Sequence, residues 1–337
     1  MRIWTLVFVA VLVTFSAVGA ASADSFYAGK SITILVGNGV GGGYDVYARL
    51  LGRHLGKHIP GSPTVVINNM PGGGSFKEAN YLYNASPRDG TSIGIILPSV
   101  ALDPVFGDAK AHFTTLGFNW LGNMSRDVSS CVVGPKSTVR KFDETFKREL
   151  TFGATGPAAM TATHAYVLRN MIGAKVKVIN GYQGTREIRM AMEKGEVDGM
   201  CGFWLSAAIG PQAADVKRGD LLPIIQLGLT KEPVFGDAPS IFDYAKTAED
   251  KQVLELIFGI TAVNRPFAAP PKVPADRIEL LRAAFMDAVR DPELVAEAKK
   301  TRQMLDPIDG KATEALFRRF AASPKAVVAR AAAAISR

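Results

Sequence analysis

The stretch SITILVGNGVGGGYDVYARLL, Ser31 to Leu51, places an apolar run, a glycine-rich turn and an amphipathic run in immediate succession. Within it Gly37, Gly39 and Gly42 match G-x-G-x-x-G, the spacing with which a strand-turn-helix unit holds a pyrophosphate at a helix N-terminus. The residues downstream decide against a nucleotide. In a Rossmann unit the second strand ends in an acidic residue that holds the ribose. Here the second apolar run, Thr64 to Asn68, ends in Asn68-Asn69 and leads into MPGGGS, Met70 to Ser75, a second glycine-rich turn opening a second helix. Neither turn carries G-K-[ST], so neither is a Walker A loop. Two such turns side by side at the carboxyl ends of adjacent strands aim backbone N–H groups and helix N-termini at a small anion, most simply a carboxylate.

Upstream, Met1 to Ala23 has an early positive charge at Arg2, an apolar run from Ile3 to Phe15 and the small-residue ending Ala21-Ser22-Ala23. This is the layout of a cleavable secretory signal, with an apolar core too short for a comfortable membrane span. Maturation near Asp24 is therefore expected, and no cysteine stands near that point to take a lipid. Export also removes the protein from a supply of nicotinamide cofactors, and no cofactor is expected. Of the 337 residues, 314 remain after residue 23, more than one ordinary core holds, so two domains are expected. The formal charge of +8 falls to +7 without Arg2, and the basic residues are scattered. Scattered charge favours an anionic partner only weakly, and the absence of aromatic-basic clustering argues against nucleic acid.

Along the chain, strand and helix patterns alternate, which implies sheets covered by helices. Strands are expected at Ile32 to Val36, Thr64 to Asn68 and Ser92 to Leu97, with helices at Tyr44 to Leu55 and Phe76 to Asn84 between them. After Trp120 the pattern restarts with strands at Cys131 to Val133, Thr151 to Ala154, Lys175 to Ile179 and Val197 to Cys201, and helices at Thr161 to Met171 and Arg186 to Lys194. Further strand-like runs are Leu222 to Leu227 and Ile257 to Ala262. The C-terminal part is helical, with Ile278, Leu281, Phe285 and Val289 on one face and starts at Asp291-Pro292 and Asp309-Gly310.

Enzymatic signatures are absent from the sequence: there is no G-x-S-x-G and no H-E-x-x-H. His54 and His58 have the spacing of two ligands on one helix face, but the intervening residues supply no third ligand, and no metal is expected. His164, alone near a helix start, reads as structural. Cys131 and Cys201, both in strand-like runs of the second half, are either a disulfide suited to an oxidising compartment or two buried thiols.

Five segments, in order and covering nearly all of the mature chain, carry a family resemblance: ITILVGNGVGGGYDVYARLLGRHL, VVINNMPGGGSFKEANYLY, PRDGTSIGII, NGYQGTREIRMAMEKGEVDG and AAPPKVPADRIELLRAAFMDAVRDPEL. The chain resembles the periplasmic receptors of tripartite tricarboxylate transporters, the Bug proteins. The resemblance implies an α/β, two-domain periplasmic binding protein-like fold of type II. Each domain would be a mixed sheet flanked by helices, residues 24–123 with 236–337 forming one and 124–235 the other, and the ligand cleft would lie between them. It further implies a monomeric periplasmic solute-binding protein that captures a small organic carboxylate and serves membrane permease subunits. A receptor for a signalling partner, or an exported enzyme on the same scaffold, are the competing readings.

Carried onto this sequence, the first loop implies ligand-binding roles for Gly41, Gly42, Gly43 and Asp45, although Asp45 suits tying down the loop better than touching an anion. Tyr44 would cover the ligand or pack on its helix. The second loop offers Gly72, Gly73, Gly74 and Ser75, and the third strand leads to Pro98 and Ser99. From the second domain come Thr155 and Gly156, then Tyr182, Gln183 and Gly184 for the distal end of the ligand. Where many relatives have an Asp, this chain has CGFWLS, so Gly202 would leave room while Phe203 and Trp204 form an apolar wall or, for Trp204, part of the core.

Overall fold

The computed structural model describes residues 26–107, 110–157, 159–182 and 184–337; the expected signal segment and Gln183 lie outside the described residues. In chain order the strands are β1 (Ser31–Val36), β2 (Thr64–Asn69), β3 (Ser92–Ile95), β4 (Asn119–Asn123), β5 (Ser129–Val133) and β6 (Leu150–Ala154). They continue as β7 (Val176–Asn180), β8 (Gly199–Trp204), β9 (Leu222–Leu227), β10 (Pro266–Ala269) and β11 (Ile308–Asp309). Two mixed sheets result, one ordered β11-β4-β10-β3-β1-β2 and the other β7-β6-β8-β5-β9.

β1 lies between β2 and β3, parallel to both, and its near-continuous apolar sequence suits a strand covered on two faces. Ile32, Ile34 and Val36 enter the core beneath helix α1 (Gly43–Leu55), with Leu50, Leu51 and Leu55. Leu35, with the opposite parity, enters the other layer with Ala79 and Leu82 of helix α2 (Phe76–Asn84). Helix α3 (Pro98–Phe106) follows β3 directly. In the second sheet β6 pairs in parallel with β7 and β8, carrying helices α4 (Met160–Val167) and α5 (Thr185–Lys194).

The chain passes between sheets twice. β4 belongs to the first and β5 to the second; β9 belongs to the second and β10 to the first, inserted antiparallel between β3 and β4. Ser240 still bridges Gln226 of β9. Cys131 of β5 and Cys201 of β8, on adjacent strands, form a disulfide.

The fold is therefore α/β with two mixed sheets flanked by helices, as the sequence implied. The run Ile257 to Ala262 is a correction. It ends the helix Ala248–Phe258 and continues as a 3-10 turn, not a strand. Thr247 and Asp250 form a capping box that starts this helix, and its buried Val253, Leu254, Leu256, Ile257 and Phe258 make it apolar enough to imitate a strand.

Candidate functional site

The two glycine loops are bonded to each other. Ser75 Oγ donates to the Gly37 carbonyl at 3.0 Å, and Asn69 Nδ2 donates to the Asn38 carbonyl and to Asp45 Oδ1, both at 2.9 Å. A Cβ on Gly37 would stand 2.5 Å from the Ser75 Cβ. The first glycine of the apparent fingerprint thus serves a close approach between loops, and no pyrophosphate is needed to explain it. Arg49 donates to Asp45 at 2.9 Å and to Asn69 at 3.1 Å, which completes the knot.

Beside the knot, a cavity of about 280 Å³ lies between the sheets. Tyr44 at the start of α1 and Leu97, Pro98 and Ser99 at the start of α3 form one side. Met160 at the start of α4, Trp204 at the end of β8 and Ser206 just beyond it form the other. Asp127, on the first crossing, and Ile260, Thr261, Asn264 and Arg265, on the approach to β10, close it.

Arg265 is the cation of this cavity. Its guanidinium lies 4.4 Å from the Tyr44 ring centroid and 4.9 Å from that of Tyr47. Its Nη1 donates to the Asn264 carbonyl at 2.8 Å, and its Nε is buried without a hydrogen-bond partner among the described residues. A Cβ on Gly43 would lie 3.4 Å from Nη2, so the start of α1 and the guanidinium share one corner. Burial pushes the Tyr44 phenol up, partly offset by Arg265. A flat cation stacked on two rings and lacking a carboxylate partner within ion-pair distance, among the described residues, is a ready receptor for a carboxylate.

Asp127 is buried, 4% exposed. Its Oδ2 accepts from Ser206 Oγ at 2.7 Å, and its Oδ1 accepts from the backbone N–H groups of Val128 at 3.0 Å and Ser206 at 3.3 Å. Burial pushes its carboxyl above the usual range against the pull of these donors and of Arg265.

No protein-family model and no curated protein matches the chain, but solved structures do. A TctC solute-binding protein from Polaromonas, without ligand, aligns over 90% of this chain and 99% of its own with a TM-score of 0.71 at 16% identity. The periplasmic binding protein BugD aligns over 91% and 98% with a TM-score of 0.62, also at 16%. An R. palustris protein with adipate aligns over 90% and 98% with a TM-score of 0.61, again at 16%. This chain has the TctC/Bug fold.

On that TctC/Bug fold, Tyr44, Pro98, Ser99 and Trp204, all expected at the site, come together around the cavity. Trp204 is part of the wall, with its ring centroid 6.1 Å from that of His164. Gly41, Gly42, Asp45, Gly72, Gly73, Gly74 and Ser75 form the knotted loops behind Tyr44 and are not among the residues lining the cavity. Asp45 accepts the Gly41 N–H, and Ser75 has spent its hydroxyl on Gly37.

Several expectations for the second half give way to packing. The Thr155 N–H is donated to Thr161 Oγ1 at 3.1 Å, so it does not face a ligand freely. Gly156 accepts from the Ala159 N–H at the entry to α4. The Tyr182 ring packs inward, near enough that a Cβ on Gly153 would meet it at 3.2 Å. Gly184 caps α5 in an extended conformation. Phe203 points away from the cavity into a core with Val132, Met192 and Phe235 and is 3% exposed. Strand alternation explains the split with Trp204, since neighbours on β8 face opposite sides. Gly202, at a φ of +73°, lies at the irregular register between β5 and β8.

Three histidines have partners within the fold. His164 is buried in α4, bonded to Ser129 Oγ at 3.1 Å, and burial lowers its pKa to about 4. His54 and His58 find acidic partners the local sequence could not reveal, Glu297 and Asp291, each at 2.9 Å. His54, Asp291 and Glu293 place ligand atoms within 4.8 Å of one another. However, the Lys57 ammonium stands 2.6 Å from Asp291 and 2.5 Å from Glu293, where a cation would sit. The cluster is a staple between α1 and the C-terminal helices.

The sequence pattern singles out neither Arg265 nor Asp127. Of the other arginines, Arg49 holds the loops and Arg126 pairs with Asp306.

Proposed function

We propose that the chain is an extracytoplasmic solute-binding protein of the TctC/Bug type, which captures a small organic carboxylate between its sheets and delivers it to a tripartite tricarboxylate-type permease. The observation that carries this reading is Arg265, stacked on two tyrosines at the cavity without an ion-pair partner among the described residues. Adipate in a protein of the same fold is consistent with such a ligand. The Cys131–Cys201 disulfide suits the oxidising periplasm that the expected signal segment implies.

In this reading residues 24–123 and 236–337 form one domain, residues 124–235 form the other, and the protein works as a monomer. A ligand touching both Arg265 and the Trp204 wall binds the closed arrangement better and draws the domains together. Thermal shift of the chain from Asp24 onward, against organic acids, NAD and metal ions, tests the reading. An acid at a hundred times its dissociation constant adds about 2.7 kcal/mol of stability. Stabilisation by NAD alone, or turnover of a bound acid, would sink it.

A further inference from the structure

We infer that the cavity selects monocarboxylates and rejects dicarboxylates, with Arg265 holding the single carboxylate and Asp127 standing against a second; this rests on the receptor reading above. Among the described residues lining the cavity Arg265 is the one cation, and the start of α1 at Gly43 reinforces the same corner. One carboxylate therefore has a strong, well-defined place.

A second carboxylate finds no second cation among the described residues lining the cavity. Much of the remaining wall is apolar, formed by Leu97, Met160, Trp204 and Ile260, and an ionised group pressed against it loses water without gaining a partner. Its polar part is headed by Asp127, whose carboxyl is fixed by Ser206 and the Val128 N–H. A ligand carboxylate placed there meets the Asp127 carboxyl at close range, where one of the two must take up a proton or both must bear like charge, the arrangement by which binding sites exclude wrong partners. A hydroxyl or amine beside Asp127 meets no such penalty, because Asp127 accepts hydrogen bonds, and a plain hydrocarbon lies against Leu97, Met160, Trp204 and Ile260 instead. The ligand class is a small monocarboxylic acid with an apolar or hydrogen-bond-donating body.

The test is a calorimetric comparison of hexanoate with adipate, which share a six-carbon chain and differ by one carboxylate, alongside phenylacetate and citrate. Hexanoate or phenylacetate is expected to bind at least about tenfold more tightly than adipate and citrate, since tenfold corresponds to about 1.4 kcal/mol. Asp127→Asn is expected to narrow the hexanoate-to-adipate ratio severalfold by admitting the second carboxylate. The wild-type ratio decides the matter even if that variant folds poorly. Adipate or citrate binding as tightly as the monocarboxylates overturns the inference and leaves the receptor reading standing. Failure of every acid to bind overturns both.

Discussion

The backbone N–H of Gly41 donates to Asp45 Oδ2 at 2.8 Å, so the helix that the first glycine loop opens also closes that loop. Gly41 has a φ of +82°, and the bond holds the chain in that left-handed turn. Burial opposes ionisation of Asp45, but Arg49, the Gly41 N–H and Asn69 outweigh it and hold the carboxyl at about 2. A depressed carboxyl stabilises the fold above its unfolded pKa of about 3.9 and loses that contribution as pH falls through its folded value. Asp45→Asn should therefore cost about 1–2 kcal/mol at pH 7, mostly through the buried bonds because Arg49 is largely in water. Urea unfolding of both proteins should show the gap closing between about pH 4 and pH 2. A gap that persists undiminished at pH 2 would show that the charge is not responsible.

Glu78 behaves in the opposite way. It is fully buried on α2, neither carboxylate oxygen has a partner among the described residues, and burial raises its pKa well above the usual range. Gly94 makes the room, since a Cβ there would stand 2.4 Å from Glu78 Oε1. The folded chain keeps the proton, so stability falls as pH rises past the unfolded pKa of about 4.3. Glu78→Gln removes that loss and should be more stable than wild type at pH 7, by about 1.4 kcal/mol for each pH unit over which only the unfolded form titrates. Stability curves of the two proteins that run parallel from pH 4 to pH 8 would refute the claim.

These two carboxylates also mark how much was legible in the sequence. α1 and β1 could be read because their apolar spacing matches the layer they bury. Asp45 could be read as a loop tie because its partner Gly41 lies within one turn. Arg265 could not, because it reaches Tyr44 only after β10 inserts between β3 and β4. β10 is four residues that begin with proline, PFAA, and nothing in so short a run announces a central strand. Asp127 was hidden for the same reason, on a crossing segment placed by both sheets. Tyr182 and Phe203 failed differently: the strand expected at Val197 to Cys201 in fact runs on to Trp204 and takes in Phe203, and for both residues side-chain direction was decided by core packing.

The Cys131–Cys201 disulfide closes a span of 70 residues. By the chain-entropy account, which is model-dependent, a loop of that length stabilises by roughly 4 kcal/mol. The bond joins β5 to β8, the pair through which β9 connects to the rest of the second sheet. Cys131→Ala/Cys201→Ala should lower the urea midpoint accordingly, with the slope altered only through the unfolded state. Equal midpoints for oxidised wild type and the double variant would show that the strand pairing needs no covalent link.

Arg265 permits the sharpest separation of a binding role from a structural one. Its backbone N–H donates to Asn123 Oδ1 at 2.7 Å and is untouched by a side-chain change, whereas the guanidinium both stacks on Tyr44 and Tyr47 and faces the cavity. Losing a charge-assisted bond to a bound carboxylate costs about 1.5–3 kcal/mol, roughly ten- to a hundredfold in affinity. Arg265→Gln should show that loss for whichever acid stabilises the wild type, while Arg265→Lys, which keeps the charge but not the planar fork, should fall between the two. A structural role predicts another pattern: both variants would melt earlier yet bind the acid as the wild type does. Calorimetric titration of folded protein, compared with the melting shift of each variant, distinguishes these cases, because affinity reads the guanidinium's contact with the ligand and melting reads its stacking on the rings.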